Sequence, residues 1–559
     1  MSAPGLNLLV FRNSRRRVCG AELRSVLSAQ LELLSGSCLP SQVVLPALLR
    51  AGELECGIAD AACDPPNAFA QVTDCLALAL LDGGALHDFQ NILKGIARAL
   101  VPAWLNISPA EGFAYYALHP LAYAEVLDRL RPLPEKVIVV GIRSIGATLS
   151  AVTAAACRLR GSDVKRLTVR PGGHPYNRRT AFSQSDLRII QSGLDRGAEF
   201  LVVDEGPGLS GSSFLSVAEA LEGAGIQPHK IVLLCGHEPN PDALCSANAA
   251  QRWRRFRSLP MSPDARRPGG SGIFAGAGEW RSRFFPSQSL WPPAWTSMER
   301  LKYISEGNGS GRLFKFEGLG HYGGRVLERQ QLLVAGGFGA SARAESDGFV
   351  SYPLIARRPM TTADLSARML TRMAEYCAFR AAAFSVPDVH LGPLREMAEH
   401  NLRELGFDLP VALELERPVI ADGRMQPHEW ILRPEGNVIK TDGASHGDDH
   451  FYPGPTDIAW DLAGAIVEWR MNDEQSAQLL FDYQRTSGDD ARARIGAFIR
   501  AYAAFRCAYC RMAANAMAGS PEQGRLDRAA QGYSALLAAE AGAARGVGLE
   551  FPPKPALIS

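Results

Sequence analysis

The chain has 559 residues, of which 47% are apolar and 21% are charged, and its formal net charge is +1. This length predicts about two to four domains with enough apolar material for sizeable cores. The near-neutral charge argues against bulk attraction to polyanions as the main basis of function. Eleven scattered cysteines and the lack of any apolar run of membrane-spanning length predict a reduced, cytoplasmic protein with no membrane contact.

Residues 1–110 are rich in leucine and alanine and predict a mostly helical region to which no chemistry can be assigned. From 111 to 258 the pattern becomes strand, glycine turn and helix. The apolar runs in this region lack polar alternation, which predicts a parallel sheet covered on both faces and therefore the α/β class. The predicted strands span residues 136–140, 166–170, 200–203 and 230–235.

The most specific motif of the first half follows the third of these strands. Two carboxylates, Asp204 and Glu205, end the strand, and a loop of small residues then opens a helix. Loop N–H groups and hydroxyls at a helix N-terminus bind anions, and a carboxylate pair accepts hydrogen bonds from a diol. A phosphate site beside a diol site predicts a ribose 5-phosphate ligand. The predicted phosphate loop is Ser210, Gly211, Ser212 and Ser213.

This motif resembles the phosphoribosyl pyrophosphate motif of type I phosphoribosyltransferases, over about 140 residues of the chain. The resemblance implies phosphoribosyl pyrophosphate as a substrate, Mg²⁺ on its diphosphate and catalytic roles for Asp204 and Glu205. Two upstream loops correspond to the family's pyrophosphate loop and flap, and their implied ligand contacts are Arg143, Ser144, Arg170 and Arg178. The loop after the acidic pair is one residue longer than in the family. The alternative is a generic α/β domain with tight glycine turns.

The second half begins with clustered Pro, Gly, Ser and Trp at 259–297, which predict a linker that packs on another part of the protein. β-like segments with one helix follow at 298–365. A mainly helical region covers 366–548, and a tail covers 549–559. Motifs stand in a fixed order within the helical region, at 422–432, 438–442 and 457–464.

In this order the motifs resemble the catalytic core of aminoglycoside-phosphotransferase-like kinases. The resemblance implies an α+β kinase-like domain with a small lobe at 298–365 and a large lobe at 366–548, which binds ATP and Mg²⁺. Glu429 and Asp442 are the implied metal ligands. Asp457 and Asp461 are the implied structural acids at the start of the next helix. Lysine is rare in this chain, with 8 among 59 basic residues, and a strand lysine paired with a helix glutamate holds nucleotide phosphates in kinases. The implied ATP-binding pair is Lys315 and Glu328.

Arg424 stands at the place of the family's catalytic aspartate, and an arginine cannot act as a base. Three interpretations stay open. Asp422, two residues earlier, supplies the base, or the chemistry differs, or the domain is a pseudokinase.

Other motifs receive structural interpretations. Residues 318–323 match GxGxxG but lack the acidic partner of a dinucleotide site, so they predict a turn. Residues 307–311 are better placed for a phosphate-covering loop, or they form a hairpin. The single CxxC at 507–510 has no second pair nearby, which disfavours zinc. Residues 252–256 alternate basic and aromatic side chains, which favours a capping helix end over a nucleic-acid platform.

Two functions from different classes follow from these motifs. The first is a bifunctional biosynthetic enzyme that transfers ribosyl 5-phosphate to an unknown acceptor and carries an ATP-dependent kinase-like domain. The second is a regulator that senses nucleotide or phosphoribosyl pyrophosphate through a pseudokinase domain. Either function predicts small-molecule ligands and no nucleic-acid partner, and either is compatible with a homodimer.

Overall fold

A computed structural model describes residues 7–13, 15–34, 41–61, 68–83, 89–261, 272–306, 311–355, 357–433, 435–447 and 449–546. The predicted tail at 549–559 and all but the last residue of the predicted loop at 307–311 lie outside the described residues. None of the described helices combines the length and the apolar character needed to cross a membrane.

The N-terminal region is mainly helical, as predicted. Its two short strands pair antiparallel and its helices surround them. The elements are β1 (Arg16–Cys19), α1 (Gly20–Glu32), α2 (Ser41–Asp60), α3 (Ala68–Asp82), α4 (Phe89–Arg98) and β2 (Trp104–Ile107).

The next region contains the predicted parallel sheet. Its elements are α5 (Glu111–Ala114), α6 (Ala122–Glu125), β3 (Lys136–Ile142), α7 (Gly146–Leu159), β4 (Asp163–Val169), β5 (Gly172–His174), β6 (Asn177–Arg179), α8 (Gln184–Asp195), β7 (Glu199–Val203), α9 (Ser212–Gly223), β8 (Ile231–Cys235), α10 (Ala249–Trp253) and β9 (Arg257–Pro260). The strand order is β4-β3-β7-β8-β9, and all neighbours are parallel. All four predicted strands are present, and β9 adds a fifth.

Helices cover both faces of this sheet because its strands are apolar on both sides. Val137 and Val139 share one core with α2, α3 and α7, whereas Ile138 and Val140 share another with α8, α9 and α10. This alternation follows the two-residue period of a strand. The N-terminal helices therefore form part of one covering layer of the sheet.

The second half has an antiparallel sheet followed by a helical region. Its first elements are β10 (Ile273–Phe274), α11 (Arg281–Phe284), β11 (Lys302–Ser305), β12 (Arg312–Phe316), α12 (His321–Ala335), β13 (Arg343–Ala344) and β14 (Phe349–Pro353). The sheet order is β10-β11-β12-β14-β13. The helical region contains α13 (Ala367–Ala383), α14 (Gly392–Leu405), β15 (Pro418–Ile420), β16 (Trp430–Leu432), β17 (Val438–Lys440), β18 (Pro455–Asp457), α15 (Ala459–Glu468), α16 (Asp473–Ser487), α17 (Ile495–Ala516) and α18 (Pro521–Gly546).

The start of the chain packs against this distant helical region. Leu8 and Val10 are buried in its core. Between them, the Leu9 N–H donates to Asn401 Oδ1 at 2.8 Å, and Asn401 Nδ2 donates back to the Leu9 carbonyl at 2.7 Å. The two halves of the protein are therefore joined by more than the linker.

Candidate functional site

The predicted phosphate loops lie at one edge of the parallel sheet. From β3 the chain passes to β4 on one side, and it later enters β7 on the other side, so the strand order reverses between β3 and β7. The loops after these two strands contain Arg143 and Ser144, and Asp204 and Glu205. Ligands of open α/β sheets bind outside the carboxyl ends of the strands at such a reversal. The sequence-predicted residues are therefore placed where this type of sheet binds small molecules.

The carboxylate pair is largely enclosed at this edge. Asp204 Oδ1 accepts a hydrogen bond from the Glu205 N–H at 2.8 Å, and the Tyr123 hydroxyl donates to the Asp204 carbonyl at 2.6 Å. Glu205 Oε2 accepts from the Gly112 N–H at 2.9 Å. Burial raises the pKa of Asp204 to about 7. Burial, with Glu111 and Asp204 nearby, raises the pKa of Glu205 to about 8. Both carboxyls therefore change charge near neutral pH.

The predicted flap is a hairpin that rests on the serine loop. Strands β5 and β6 pair antiparallel, and Pro175 lies in the turn between them. The hydroxyls of Ser210 and Ser212 donate to the Pro175 carbonyl at 2.9 and 2.5 Å. Arg178, on β6, donates to the carbonyl of Pro171, just before β5, at 3.2 Å. Of the predicted phosphate loop, Ser210 and Gly211 precede α9, whereas Ser212 and Ser213 are its first two residues.

Two of the three arginines expected to bind a diphosphate contact a carboxylate from the N-terminal region. Arg143 Nη1 lies 3.0 Å from Asp60 Oδ1, and Arg170 Nη2 lies 2.5 Å from Asp60 Oδ2. Ser144 has a φ of +121°, a conformation that costs a serine backbone strain. Sequence reasoning missed Asp60, and no local signal marks it, because the contact joins separate layers of the fold.

A cavity of about 1070 Å³ lies between the antiparallel sheet and the helical region. Residues 259–297, the predicted linker, contribute Trp280 and Trp295 to its lining. The Trp280 ring stacks on His428 at a centroid distance of 6.1 Å. The sequence-predicted residues that line the cavity are Lys315, Glu429 and Asp442, together with Arg424.

Lys315 pairs with carboxylates other than the one expected. Its Nζ donates to Asp442 Oδ1, and to Ser445 Oγ at 2.9 Å, and lies 3.2 Å from Glu317 Oε1. Glu328 is exposed on α12, so the expected Lys315–Glu328 pair does not form. Glu328 lies on the exposed face of α12, opposite the face that the helix buries. The buried positions of α12 are Tyr322, Val326, Gln330 and Leu333.

Asp442 is the acid at the centre of this arrangement. Its Oδ2 lies 3.0 Å from His446 Nε2, and His446 Nδ1 lies 3.3 Å from Asp449 Oδ2. Although burial raises the pKa of Asp442, Lys315 and His446 hold it well below its usual range. Asp442 therefore presents an ionised carboxylate to the cavity.

Asp422 occupies a different environment from the one a base requires. Its side chain is fully buried and is not among the cavity-lining residues. Asp422 Oδ2 accepts a hydrogen bond from the Tyr376 hydroxyl and lies 3.3 Å from Lys440 Nζ. A group with both partners inside the core cannot reach a substrate, so this geometry argues against Asp422 as the base.

Asp457 and Asp461, which the resemblance implies as structural acids, both accept hydrogen bonds from backbone N–H groups. Asp461 accepts hydrogen bonds from the N–H groups of Asp422 and Gly423 at 2.8 and 2.9 Å. Asp457 Oδ2 accepts from the N–H groups of Glu416 and Arg417 at 2.8 and 2.7 Å. These contacts fix the loop that carries Arg424.

The carboxylate of Glu429 forms an ion pair with a lysine of the protein itself. Lys440 Nζ lies 2.5 Å from Glu429 Oε2, and burial of this ammonium is compensated by Asp422 and Glu429, which raise the pKa of Lys440. The register of β16 with β17 places Trp430 opposite Lys440, which brings Glu429 beside the lysine. Hairpin pairing in the sequence was the signal that could have revealed this contact.

Mg²⁺ prefers oxygen ligands, and the two expected ligands fit it unequally. Glu429 pairs with Lys440 and Asp442 pairs with Lys315 and His446, but the Asp442 side chain keeps 25% of its surface exposed and the Glu429 side chain only 10%. Within the described part of the chain, no group of three or more His, Cys, Asp or Glu side chains is arranged to hold a metal. Asp442 is therefore the residue that would share a metal ion with the phosphates of a ligand.

Arg424 contributes a charged side chain to the lining of the cavity. Its backbone N–H donates to Asp422 Oδ1 at 3.2 Å, but its guanidinium forms no hydrogen bond or ion pair with the residues that the structure describes. Burial alone would lower the pKa of Arg424, but Tyr509, Glu429 and Asp449 raise it. The cavity therefore contains a permanent cation that is free to bind an anion.

Comparisons with protein-family models and with curated proteins give no match. Among solved structures, the choline kinase LicA from Streptococcus pneumoniae is 12% identical, with a TM-score of 0.31 over 42% of this chain and 89% of that one. A choline/ethanolamine kinase family protein from Mesorhizobium loti is 16% identical, with a TM-score of 0.31 over 46% and 94%. An aminoglycoside phosphotransferase from Alicyclobacillus acidocaldarius is 13% identical, with a TM-score of 0.29 over 43% and 90%. These values are too low to support a function, which rests on the residues above.

Proposed function

We propose that the second half of the protein binds a nucleoside triphosphate such as ATP in the interlobe cavity, as a kinase-like unit without an aspartate base. The observation that carries this proposal is the unpaired Arg424 guanidinium at the place where the motif requires the base. An arginine binds phosphate oxygens with a planar fork of donors and cannot accept a proton. The cavity therefore favours holding phosphates over deprotonating an acceptor, which supports the regulator over the kinase.

The electrostatics of the cavity support an anionic ligand. Burial, together with the charges of Lys440 and Arg424, lowers the pKa of His428 to about 3. Burial also lowers the pKa of His450 to about 4. Burial is the main cause of both shifts, and the nearby charge of Arg424 contributes to each. A polyphosphate would neutralise this positive charge.

The cavity also has an apolar surface for the nucleobase of the nucleotide. Leu313 on β12, Ile355 after β14 and Ile431 on β16 line the cavity and offer it an apolar surface. Lys315 and Asp442 pair with each other and line the same cavity, where they would contact the phosphates. Mg²⁺ would supply charge neutralisation of these phosphates, with Asp442 as its protein ligand.

Equilibrium binding of ATP to the full-length protein, with and without Mg²⁺, tests this proposal. We expect Lys315→Met, which keeps the length of the side chain but removes its charge, to weaken ATP binding by at least about tenfold. Lys165→Met removes an exposed lysine of the parallel sheet as the matched control and should bind as the wild type does. Wild-type protein that binds no ATP at millimolar concentration would contradict the proposal, and phosphorylated product would assign transfer instead.

The parallel sheet carries a second proposed site, for phosphoribosyl pyrophosphate. The observation that favours it is the convergence of Asp204, Glu205 and the serine loop of α9 at the reversal of strand order. Ribosyl transfer to an acceptor is the activity implied by the resemblance of these residues. In this proposal Asp204 and Glu205 would accept the ribose hydroxyls, and the N-terminus of α9 would bind the 5′-phosphate.

The pH dependence of binding tests this second site. Asp204 and Glu205 accept hydrogen bonds from ribose hydroxyls only when ionised, and their pKa values are raised to about 7 and about 8. Affinity for phosphoribosyl pyrophosphate should therefore rise at least about tenfold between pH 6 and pH 9, as both protons are lost. The double variant Asp204→Asn with Glu205→Gln controls for titration of the ligand and should bind weakly and without this rise. A wild-type affinity as flat as that of the variant would exclude the carboxylate pair from the site.

A further inference from the structure

The end of helix α2 places a carboxylate between the two arginines of the sheet site. Arg170 contacts Asp60 as a fork, with Nε 3.0 Å from Oδ2 and Nη2 2.5 Å from the same oxygen. Arg143 Nη1 lies 3.0 Å from Oδ1. One carboxylate thus engages two of the three guanidinium groups that the family resemblance assigns to a diphosphate.

The local structure of α2 does not explain this placement. Asp60 is the last residue of the helix, where the helix dipole disfavours a negative charge, and the last turn of α2 has no basic residue. The arginines after β3 and β4 therefore stabilise the carboxylate. Its side chain stays 23% exposed, so solvent and small anions can reach it.

We propose that Asp60 is an intramolecular stand-in for the anionic ligand, which occupies Arg143 and Arg170 until a diphosphate displaces it. This inference rests on the proposed phosphoribosyl pyrophosphate site. A partly exposed ion pair contributes little net stability, whereas a diphosphate brings more charge and matches two guanidinium forks. The N-terminal helices then have a role in the site. The Asp60 carboxylate competes with the ligand for the two arginines, so anions that bind them weakly do not displace it.

Calorimetric titration of the full-length protein with inorganic pyrophosphate tests this inference. Asp60→Asn keeps the shape of the side chain and removes its charge, so we expect pyrophosphate to bind about tenfold tighter than to wild type. Asp163→Asn is the matched control. Asp163 lies at the opposite end of β4, on the surface beside Arg196, and its loss changes the net charge equally. The control should bind pyrophosphate as the wild type does.

A second measurement uses the wild-type protein, so its result does not depend on whether the Asp60→Asn variant folds. Cys56 is buried beside the pair, with Arg170 Nη2 3.2 Å from its Sγ. Cys56 Sγ also donates to Asp60 Oδ2 at 3.8 Å. Displacement of Asp60 should remove this second contact, so pyrophosphate should accelerate alkylation of Cys56, which peptide mass spectrometry measures. Equal pyrophosphate affinity of wild type and Asp60→Asn, or unchanged Cys56 reactivity at saturation, would overturn the inference and leave the site standing. Lack of binding to both proteins at millimolar pyrophosphate would overturn the inference and the proposed site together.

Discussion

Replacing Asp461 by alanine is expected to destabilise the second half of the protein by about 3–5 kcal/mol. The Asp461 carboxylate is fully buried and accepts the N–H groups of Asp422 and Gly423 at 2.8 and 2.9 Å. It also lies 3.6 Å from Nε of the buried Arg380. Without it, two backbone donors lose their partner and a buried cation loses a counter-charge, and both changes are costly in a dry core.

Urea unfolding followed by tryptophan fluorescence measures this effect, because Trp430 and Trp460 are buried in the same core. Asp473→Ala is the control. Asp473 is exposed in the first turn of α16, a position like that of Asp461 in α15, and its loss should cost less than about 1 kcal/mol. An Asp461→Ala midpoint equal to that of the control would show that the loop around Arg424 is held by other contacts.

The elements that the sequence predicts well are those set by local pattern. The four strands of the parallel sheet follow from apolar runs without polar alternation, and all four are present. In these strands the physical cause acts over a few residues, so a single sequence contains it. The structural role of Asp461 is implied only by the family resemblance, because the N–H groups that it accepts belong to the distant residues Asp422 and Gly423.

The residues that the sequence predicts poorly depend on which face a side chain occupies or on a distant partner. Glu328 has the right residue type, but the spacing of Tyr322, Val326 and Gln330 already places it on the exposed face of α12. Asp422 has the right chemistry near the motif, yet Tyr376, from α13, encloses it. Asp60 could not be inferred, because its two arginine partners lie far along the chain and pair with it only after the layers pack.

Replacing Arg424 by alanine is expected to weaken ATP binding by about tenfold to a hundredfold, and Arg424→Glu should abolish it. The wild-type guanidinium has no protein partner among the described residues, so its removal leaves no carboxylate unpaired and should not unfold the protein. The loss in affinity therefore measures the ligand contact itself, by calorimetric titration with ATP. Arg528→Ala is the control, because Arg528 lines the same cavity from α18 but lies at an exposed position.

The direction in which each Arg424 substitution changes ATP affinity shows whether Arg424 binds phosphate. If Arg424 binds phosphate, affinity falls in the order wild type, Arg424→Ala, Arg424→Glu, while Arg528→Ala stays near wild type. Arg424→Asp restores the residue type that the motif places here, and we expect it to lose affinity as well, because a carboxylate repels phosphates. Affinity that is unchanged in Arg424→Ala would leave Lys315 as the cation on which phosphate binding depends and would contradict a phosphate-binding role for Arg424.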